Sequence, residues 1–528
     1  MAGPVRPPAA GAKKKPAPHD GHKSPRGGKA GNPSNGQARP PVPGTVADPG
    51  PLPSAPTEPR VERLTLPSGL AVAVLPAPEE AAVTIVLRFA SGSASDPKGH
   101  GGTARTAAEL LRLGESDLSR ALLDRGGTLQ VSAERDATTF VLRLPPHELD
   151  LALSSELERL APLVADPARL AEAKGILARA NGLERSEDRL ESLVFQGYAP
   201  YERPRTGTDA ERDAVSVVDV ETFARTHFVS TNATLVVSGR IDAKRTLALV
   251  HQRFAGGSEK PKPLGAEAAK LEEQTNQRSG EIVDDGAATT LLFGWAIPHE
   301  QGRDAAKLEM AAALLSWGPS ARLTRALEEL GARAEATVEQ RKGPGLFTLR
   351  VELPGGADPA PARRAIESAL TSLGKDPVQP REIERARRAV WTKRLDVLRD
   401  PVERSTALAE GDFGLTEERA RLEASDAAAV RDAFAKYLGP LRRTRLVVHA
   451  SHVDAQTSGG GTKPVPAPLA AKPPLAKPAQ AKPAGKPGQA SATPESGQGV
   501  KSPLKKDEPK KPTEGPARHP AKTKAKTP

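Results

Sequence analysis

The 528-residue chain contains no cysteine, and only 3% of its residues are aromatic. The absence of cysteine excludes disulfides, thiolate metal ligands and cysteine nucleophiles in one step. No run of 18 apolar residues occurs, so the sequence predicts no transmembrane helix. The first residues carry a basic patch with no apolar stretch behind it, so no secretory signal is recognised there. The compartment stays open: cytoplasmic for the sequence as written, periplasmic if a signal precedes it.

Residues 1–60 and 456–528 hold little apolar or aromatic material and are crowded with Pro, Gly, Ala, Ser and Lys. Such segments bury too little apolar surface to offset chain entropy, so we expect a disordered head and a disordered tail. Of the net charge of +11, these two segments carry +6 and +10, which leaves −5 for residues 61–455. The basic tails could touch an anionic surface without specificity, although a solvated spacer is the simpler interpretation, and no specific nucleic-acid binding is expected.

What is present between the tails is a strand–helix pattern that occurs twice. In the first pass, the two strand patterns at 69–76 and 83–92 are expected to pair with each other. The rest of this pass consists of helices at 103–113 and 117–125, a hairpin at 128–145, helices at 147–164 and 168–198, and a strand at 233–242. The second pass consists of strands at 289–298, 345–354 and 444–450 and helices at 304–317, 357–373 and 380–398.

The closing segments of the two passes match each other. "FARTHFVSTNATLVV" begins at Phe223 and "FAKYLGPLRRTRLVV" at Phe434, an offset of 211 residues, and in both Leu-Val-Val begins twelve residues after the Phe. An internal duplication of one α+β unit follows. Residues 256–279 are polar and lack β-formers, which is typical of a linker. The sequence therefore predicts an N-terminal domain over 61–255 and a C-terminal domain over 280–455.

With these segments in view, residues 61–451 resemble the insulinase/pitrilysin-like metallopeptidases, in their two-domain, processing-peptidase-like branch. The resemblance is carried by "LTLPSGLAVAVLP", "FASGSASDPKGHGGTARTAAELLRLG", "LLDRGGTLQVSAERDATTFVLRLPPHELDLALSSELERL", "RPRTGTDAERDAVSVVDVETFARTHFVSTNATLVVSGRID" and "LLSWGPSARLTRALEELG". It implies two homologous α/β-sandwich domains, an α+β fold. It also implies pairs of such chains that close around an extended peptide.

Active members carry H-x-x-E-H on the first helix, where the two His share one face and the Glu serves as general base. In this sequence the first His position is Arg105, the base position is Ala108 and the second His position is Glu109. A later Glu ligand would fall near Arg179. A guanidinium has no lone pair for a metal, and a methyl group cannot accept a proton from water. The resemblance thus implies that the zinc site is lost.

Residues outside this motif offer few other metal ligands or substrate contacts. None of the ten histidines forms an i, i+4 pair, and His100, five residues before Arg105, could join Glu109 only as an incomplete site. Active members also use an Arg and a Tyr of the second domain. Arg325 occupies a candidate position for that Arg, and Arg322 and Arg325 could equally be solvated helix charges. No Tyr occurs between Tyr201 and Tyr437.

The sequence therefore predicts no catalytic, cofactor-binding or metal-ligating residue and no cofactor. We expect a catalytically inactive homologue of an insulinase-like zinc peptidase, acting as a non-catalytic partner subunit or as half of a peptide-binding chamber. Its partners would be a second copy or an active zinc-peptidase homologue, and an extended peptide could add to an edge strand. Two alternatives stay open: an active zinc metalloendopeptidase with relocated ligands, and an adaptor or structural protein tethered by its basic tails.

Overall fold

The computed structural model describes residues 52–113, 117–179, 182–254, 270–284, 288–299 and 304–451. The expected tail, most of the expected head and residues 256–269 of the expected linker lie outside the described residues. Within these ranges the chain forms two mixed β-sheets with helices packed on them. This is the α+β architecture of two related sandwiches that the sequence predicts.

The first sheet and its helices come from residues 62–254. The strands are β1 (Glu62–Thr65), β2 (Ala71–Pro76), β3 (Val83–Phe89), β4 (Thr128–Ala133), β5 (Thr138–Leu144) and β6 (Ala233–Gly239). The helices are α1 (Thr103–Leu113), α2 (Asp117–Asp124), α3 (Leu149–Arg159), α4 (Pro167–Ala178), α5 (Gly182–Val194), α6 (Ala199–Glu202), α7 (Asp209–Ala214), α8 (Val217–His227) and α9 (Ala243–Phe254).

The second sheet and its helices come from residues 278–450. The strands are β7 (Arg278–Asp284), β8 (Thr290–Ile297), β9 (Arg333–Glu339), β10 (Gly345–Glu352) and β11 (Thr444–Ala450). The helices are α10 (Ala305–Ser316), α11 (Arg322–Leu327), α12 (Pro359–Lys375), α13 (Pro380–Val397), α14 (Pro401–Glu410), α15 (Leu415–Ala424) and α16 (Ala427–Tyr437).

The two sheets share one topology. The first runs β1-β2-β6-β3-β5-β4 and the second β7-β11-β8-β10-β9, so the second repeats the last five places of the first. In both, the closing strand pairs in parallel with the first strand of the repeat and antiparallel with the next. β6 begins at residue 233 and β11 at residue 444, the 211-residue offset found in the sequence. The predicted duplication is confirmed at the level of fold.

Four helices begin with the same local sequence signal, a capping residue followed directly by proline. All four have Pro at the first helical position, where no amide hydrogen is needed, directly after an Asp or a Gln. All three of the Asp side chains accept hydrogen bonds from backbone amides in the first turn of their helix. The four pairs are Asp166-Pro167, Asp358-Pro359, Gln379-Pro380 and Asp400-Pro401.

Two predictions for the first half are wrong. The strands at 71–76 and 83–89 do not pair, because β6 lies between them and pairs with both. β6 is buried along almost its whole length. Such a continuously buried strand belongs in the interior of a sheet, where both of its faces are covered. The single long helix expected over 168–198 is two helices, since α4 ends at Ala178 and α5 begins at Gly182.

The break after α4 sends α5 to the other half of the molecule. α5 packs on β7, β8 and β11 of the second sheet, whereas α14 of the second half packs on β3 and β6 of the first. The two halves thus exchange one helix each. A buried hydroxyl pair, Ser238 on β6 and Ser405 on α14 at 2.6 Å, marks one of these contacts.

The packed part of the chain begins earlier than the predicted boundary at residue 60. Residues 52–60, here called the strap, precede β1 but pack on the second half. Leu52 is 5% exposed and belongs to the same apolar cluster as Trp391, Leu415 and Leu422. The prediction of disorder is therefore wrong for the strap. Its composition is Pro-rich, but Leu52 is buried in the core of the second half.

Candidate functional site

The glycine loop before α1 is held by a buried carboxylate. Asp96 accepts hydrogen bonds from the backbone amides of Gly102 and Ala104, both at 2.7 Å, and so satisfies amides of the first turn of α1. Burial raises the pKa of Asp96 to about 7, against the opposing effect of these hydrogen bonds and of Arg203 and Arg135. The entrance to α1 therefore contains a group that titrates near neutral pH.

The same loop needs glycine for close backbone contact. Gly102 has φ of +86°, and a Cβ there would lie 2.3 Å from the carbonyl oxygen of Thr206. Gly207 has φ of +70°, and its Cβ would lie 2.1 Å from the oxygen of Gly101. Both positions require a positive φ and an absent side chain. The "GHGG" segment thus serves to seat α1 against the 206–207 turn.

On α1, the position of the first zinc ligand is occupied by an ion pair. Arg105 lies on the helix face that is not covered by the core, and its guanidinium contacts the carboxylate of Glu184 on α5. The two side chains are 24% and 18% exposed, so the pair is shielded from most solvent. Positive charge from the protein itself therefore stands where the resemblance would place the metal.

The other two motif positions are equally unsuited to metal chemistry. Ala108 is 1% exposed and packs in the core of the first half. Glu109 lies one turn after Arg105 and accepts a hydrogen bond from Nε of Arg112 at 2.9 Å. This hydrogen bond is the main reason that the pKa of Arg112 is raised. The methyl group of Ala108 cannot activate water, and the carboxylate of Glu109 is already paired with Arg112.

The structure changes the assignment of the third position. Arg179, the residue expected there, directly follows the last residue of α4 and is exposed. The side chain that faces α1 is Glu184, five residues later. Sequence reasoning missed Glu184 because it treated 168–198 as one helix. The break at 179–181 shifts the facing residue, and Gly182 with Asn181 before it was the available signal of that break.

The incomplete alternative site does not form. His100 does not approach Glu109; its Nδ1 lies 3.1 Å from a carboxylate oxygen of Asp219 at the beginning of α8. Asp219 also accepts hydrogen bonds from the backbone and hydroxyl of Ser216, at 2.7 and 2.6 Å. Partial burial acts to raise the pKa of Asp219, but the hydrogen bonds from Ser216 and the proximity of His100 outweigh it and lower the pKa. His100 is thus part of a helix cap.

Glu184 is the first member of a row of four acids along one face of α5, here called the α5 acidic row. Residues three and four apart on a helix lie on the same face. Each acid pairs with at least one arginine that lies outside α5, and two of these arginines are shared between neighbouring acids. The pairs are Glu184 with Arg105, Glu187 and Asp188 with Arg205, Asp188 and Glu191 with Arg135, and Glu191 with Arg341.

The far end of the α5 acidic row is deeply buried. Arg135, Glu191 and Arg341 are each less than 5% exposed. Arg341 donates to both carboxylate oxygens of Glu191, at 2.8 and 3.1 Å, a bidentate pair. Burial acts to raise the pKa of Glu191, but the charges of Arg341 and Arg135 outweigh it and lower the pKa to about 2. Glu191 is therefore a charged, fully paired carboxylate.

Arg341 begins a short turn of the second half, and the next two residues of this turn form hydrogen bonds with the first half. The backbone amide of Lys342 donates to Asp136 at 3.1 Å, and its ammonium donates to the carbonyl of Ala90 at 2.6 Å. The amide of Gly343 donates to the hydroxyl of Tyr201, which itself donates to Asp136 at 2.7 Å. The α5 acidic row thus connects the degenerate motif on α1 to the contact between the two halves.

The arginines of the second half differ in their surroundings. Arg322 is held by both oxygens of Glu382, at 2.9 and 2.8 Å, and by the hydroxyl of Ser372 at 3.2 Å. It is a structural link between α11 and α13. The side chain of Arg325 is exposed and forms no hydrogen bond or ion pair with another described residue; its backbone amide donates to the carbonyl of Ala321 within the helix. Of these two, Arg325 alone is available to a peptide.

Across the described ranges, no group of three or more His, Cys, Asp or Glu side chains has the arrangement of a metal site. Among the helices in the same ranges, none is both long and apolar enough to span a membrane. The residues around α1 do not fit a zinc ion, because a guanidinium, a methyl group and an already paired carboxylate occupy the motif positions.

Comparison with known proteins agrees with this fold. Residues 214–390 match the family model described as the Peptidase M16 inactive domain; α1 lies outside this match. Mitochondrial cytochrome b-c1 complex subunit 1 of Saccharomyces cerevisiae is 25% identical over 200 residues, which are 36% of this chain and 43% of that protein. The chain therefore aligns with less than half of the length of this relative.

Solved structures resemble the chain over a longer range. A protease from Helicobacter pylori superposes with a TM-score of 0.66 at 17% identity and covers 74% of this chain and 99% of its own. A peptidase M16 inactive domain from Pseudomonas fluorescens gives 0.63 at 17% identity, with 74% and 98% covered. The sheet topology, the family match over residues 214–390 and the yeast relative agree with the resemblance: the chain has the two-sheet fold of the M16-like structures and contains a segment similar to the Peptidase M16 inactive domain.

Proposed function

We propose that this chain is a catalytically inactive homologue of an insulinase-like zinc peptidase and serves as a non-catalytic partner subunit or as half of a peptide-binding chamber. The observation that carries the proposal is the ion pair of Arg105 and Glu184 at the position of the metal. A guanidinium donates hydrogen bonds but cannot ligate, and it stays charged at every physiological pH.

The loss concerns chemistry, not the surrounding fold. Without a metal, no water is polarised for attack on a peptide carbonyl, and Ala108 offers no base to take its proton. The helix itself, its capping by Asp96 and its contact with α5 are retained. Such a site contributes binding and enclosure rather than bond cleavage.

An extended peptide has a place to bind next to this site. β4 is the edge strand of the first sheet, paired with β5 on one side, and α1 packs against it. An edge strand presents unpaired backbone groups that can accept another strand. We propose that a peptide pairs with β4 and passes the Arg105–Glu184 pair without being cut.

The partner is proposed by analogy with the yeast relative, whose name makes it a subunit of the cytochrome b-c1 complex. A chain of this fold can therefore work within an assembly. For this chain we propose a homodimer, or a heterodimer with an active zinc-peptidase homologue. We also retain 61–255 and 280–455 as the two domains, with the α5 and α14 exchange between them.

Zinc content and hydrolysis of the full-length chain test the proposal. The chain is purified without chelator, dialysed against metal-free buffer, and analysed by plasma mass spectrometry. We expect far less than one zinc per chain and no cleavage of a fluorescence-quenched peptide library, with or without added zinc. Stoichiometric zinc together with cleavage that a chelator abolishes would instead establish an active enzyme with relocated ligands.

Sedimentation velocity separates the two forms of the proposal. A stable dimer at micromolar concentration supports the homodimeric chamber. A monomer that gains mass on addition of an active family member supports the heterodimeric subunit. A monomer that neither dimerises nor binds an active relative or an extended peptide contradicts both.

A further inference from the structure

The strap is tied to the second half by one buried side chain and two polar contacts. Leu52 enters the apolar cluster, and Ala55 packs against the same cluster from a partly exposed position. Pro53, Ser54, Pro56 and Thr57 are exposed. The strap forms no strand with either sheet. Its attachment therefore depends on a few anchors rather than on a backbone ladder.

Both polar contacts are made by α15. The carboxylate of Glu58 accepts a hydrogen bond from the amide of Leu415, the first residue of the helix, at 2.9 Å. The residue before it, Gly414, has no side chain to cap the helix, so Glu58 supplies the cap and adds a negative charge at the positive end of the helix dipole. One turn further on, Arg419 donates to the carbonyl of Leu52.

The match between α15 and the strap is incomplete. The hydrogen bond from Arg419 to Leu52 is long, at 3.4 Å. The Nε of Arg419 is buried and has no hydrogen-bond acceptor among the described residues, whereas a terminal nitrogen of the same guanidinium pairs with Glu423 at 2.9 Å. A buried donor without an acceptor is costly, and a ligand that brings one recovers that cost. The surface around Leu415 and Arg419 is here called the α15 docking surface. A bound segment with a well-placed acceptor would complete its hydrogen bonds better than the strap does.

The strap is also a suitable shape for exchange. Its prolines, at positions 53, 56 and 59, restrict the free chain to extended conformations. The segment therefore loses little further conformational entropy when it binds. Because it is joined covalently to β1, its high effective concentration allows weak contacts to hold it in place. A separate peptide with the same anchors competes with it only when those contacts are weakened or when its own are stronger.

We propose that the α15 docking surface is a binding site for extended, proline-containing segments of a partner protein. Such a segment carries a leucine and, six residues later, an acidic side chain, and the strap occupies the site as a built-in competitor. The leucine fills the place of Leu52, the acid caps α15, and a backbone carbonyl or side-chain acceptor meets Arg419. This proposal is independent of the state of the motif on α1.

A fluorescein-labelled peptide of residues 52–60, LPSAPTEPR, tests the site by fluorescence anisotropy against the full-length chain. Two chains are compared: the unaltered one and a strap-weakened variant, Leu52→Ser with Glu58→Gln. We expect the peptide to bind the variant about tenfold more tightly, because the competing strap is released. A control peptide with the same two replacements should bind at least about tenfold more weakly than the native peptide.

Two further variants keep the test decisive. Arg419→Gln, placed in the strap-weakened variant, removes the donor and should weaken peptide binding again. If the double strap variant does not fold, as judged by its thermal transition, Glu58→Gln alone changes only an exposed side chain and should still strengthen binding about threefold. No saturable binding to a folded strap-weakened chain, or equal binding of native and control peptides, overturns the proposal.

Discussion

The two halves place a helix at the same point of the duplicated fold and use it differently. α10 follows β8 and is buried at all but two of its positions, Ala305 and Lys307. α1 follows β3 and carries Arg105, Glu109 and Arg112 on a face outside the core, where the first two are partly buried and Arg112 is exposed. One copy of the helix is thus a core element, and the other carries charge at the contact with α5. The same fold position can serve packing in one half and a polar site in the other.

The comparison also shows where a metal site could be rebuilt. Helix α10 has no room for ligands, since its single acid, Glu309, is buried and paired with Arg394. α1 already faces a carboxylate on a neighbouring helix.

The largest effect is expected from Arg105→His combined with Glu109→His. The two imidazoles would share one face of α1, four residues apart, and face Glu184, which gives the three protein ligands of an open zinc site. We expect zinc content to rise from near zero to about one per chain. Plasma mass spectrometry after dialysis measures it. Hydrolysis should remain absent, because Ala108 is unchanged.

The matched control adds Glu184→Gln to the two histidines. If Glu184 is the third ligand, this variant should lose at least about tenfold in zinc affinity in a competition assay with a chromogenic chelator. Equal affinity with and without the carboxylate would show that α5 does not supply the third ligand. It would also remove the structural basis for reassigning that position from Arg179.

The second effect concerns the contact between the halves. Arg341→Ala leaves Glu191 as a buried carboxylate paired with Arg135 alone, and breaking a buried pair in this way costs about 3–5 kcal/mol. Urea denaturation measures the loss. Arg399→Ala is the control, because Arg399 and Asp396 form an exposed pair and should contribute less than about 1 kcal/mol. A loss of similar size in both variants would mean that the α5 acidic row does not join the halves.

Much of this molecule could be predicted from its sequence, for identifiable physical reasons. The bounds of α1, 103–113, were predicted from a glycine loop and an apolar period, and those signals are local. The 211-residue duplication followed from two matching closing segments. The pairing of 71–76 with 83–89 failed, because β6, which separates them, comes some 150 residues later in the chain. Local patterns do not specify which distant strand enters a sheet.

The candidate site shows the same limit. Replacement of the motif residues at 105, 108 and 109 could be seen directly in the sequence. Glu184 could not, because its position depends on a helix break and on the direction that α5 takes afterwards. The burial of Leu52 was missed for a different reason: average composition predicted disorder, and a single apolar anchor hardly changes an average.

The third prediction compares the acids at the entrances of α1 and α10. Asp96 is buried, and burial raises its pKa to about 7. At Asp304, burial acts to raise the pKa, but hydrogen bonds from Lys307 and Tyr437 outweigh it and lower the pKa. The folded state therefore binds the Asp96 proton more tightly than the unfolded state does, and the reverse holds for Asp304.

The expected pH dependence has opposite signs at the two sites. The contribution of Asp96 to the free energy of unfolding should fall as pH rises from about 4 to about 7, whereas that of Asp304 should fall as pH drops below about 4. Asp96→Asn should flatten the first range and leave the second unchanged, and Asp304→Asn should do the opposite. Urea denaturation at a series of pH values measures both. A slope between pH 4 and 7 that Asp96→Asn does not alter contradicts the assignment.

The smallest effect tests the caps of the corresponding helices α8 and α16. Ser216 caps the N-terminus of α8 and exchanges hydrogen bonds with Asp219, while Asp426 caps α16 and accepts from the amide of Ala429 at 2.7 Å. Replacement of either cap by Ala should cost about 1 kcal/mol in urea denaturation. Only the first cap reaches the loop of α1, through the contact of Asp219 with His100. A double-mutant cycle of Ser216→Ala with His100→Ala should therefore give a coupling of about 0.5 kcal/mol, whereas Asp426→Ala with His100→Ala should give none. Equal coupling in the two cycles would mean that the loop of α1 is not supported by α8, and that the two halves differ less at this point than their contacts indicate.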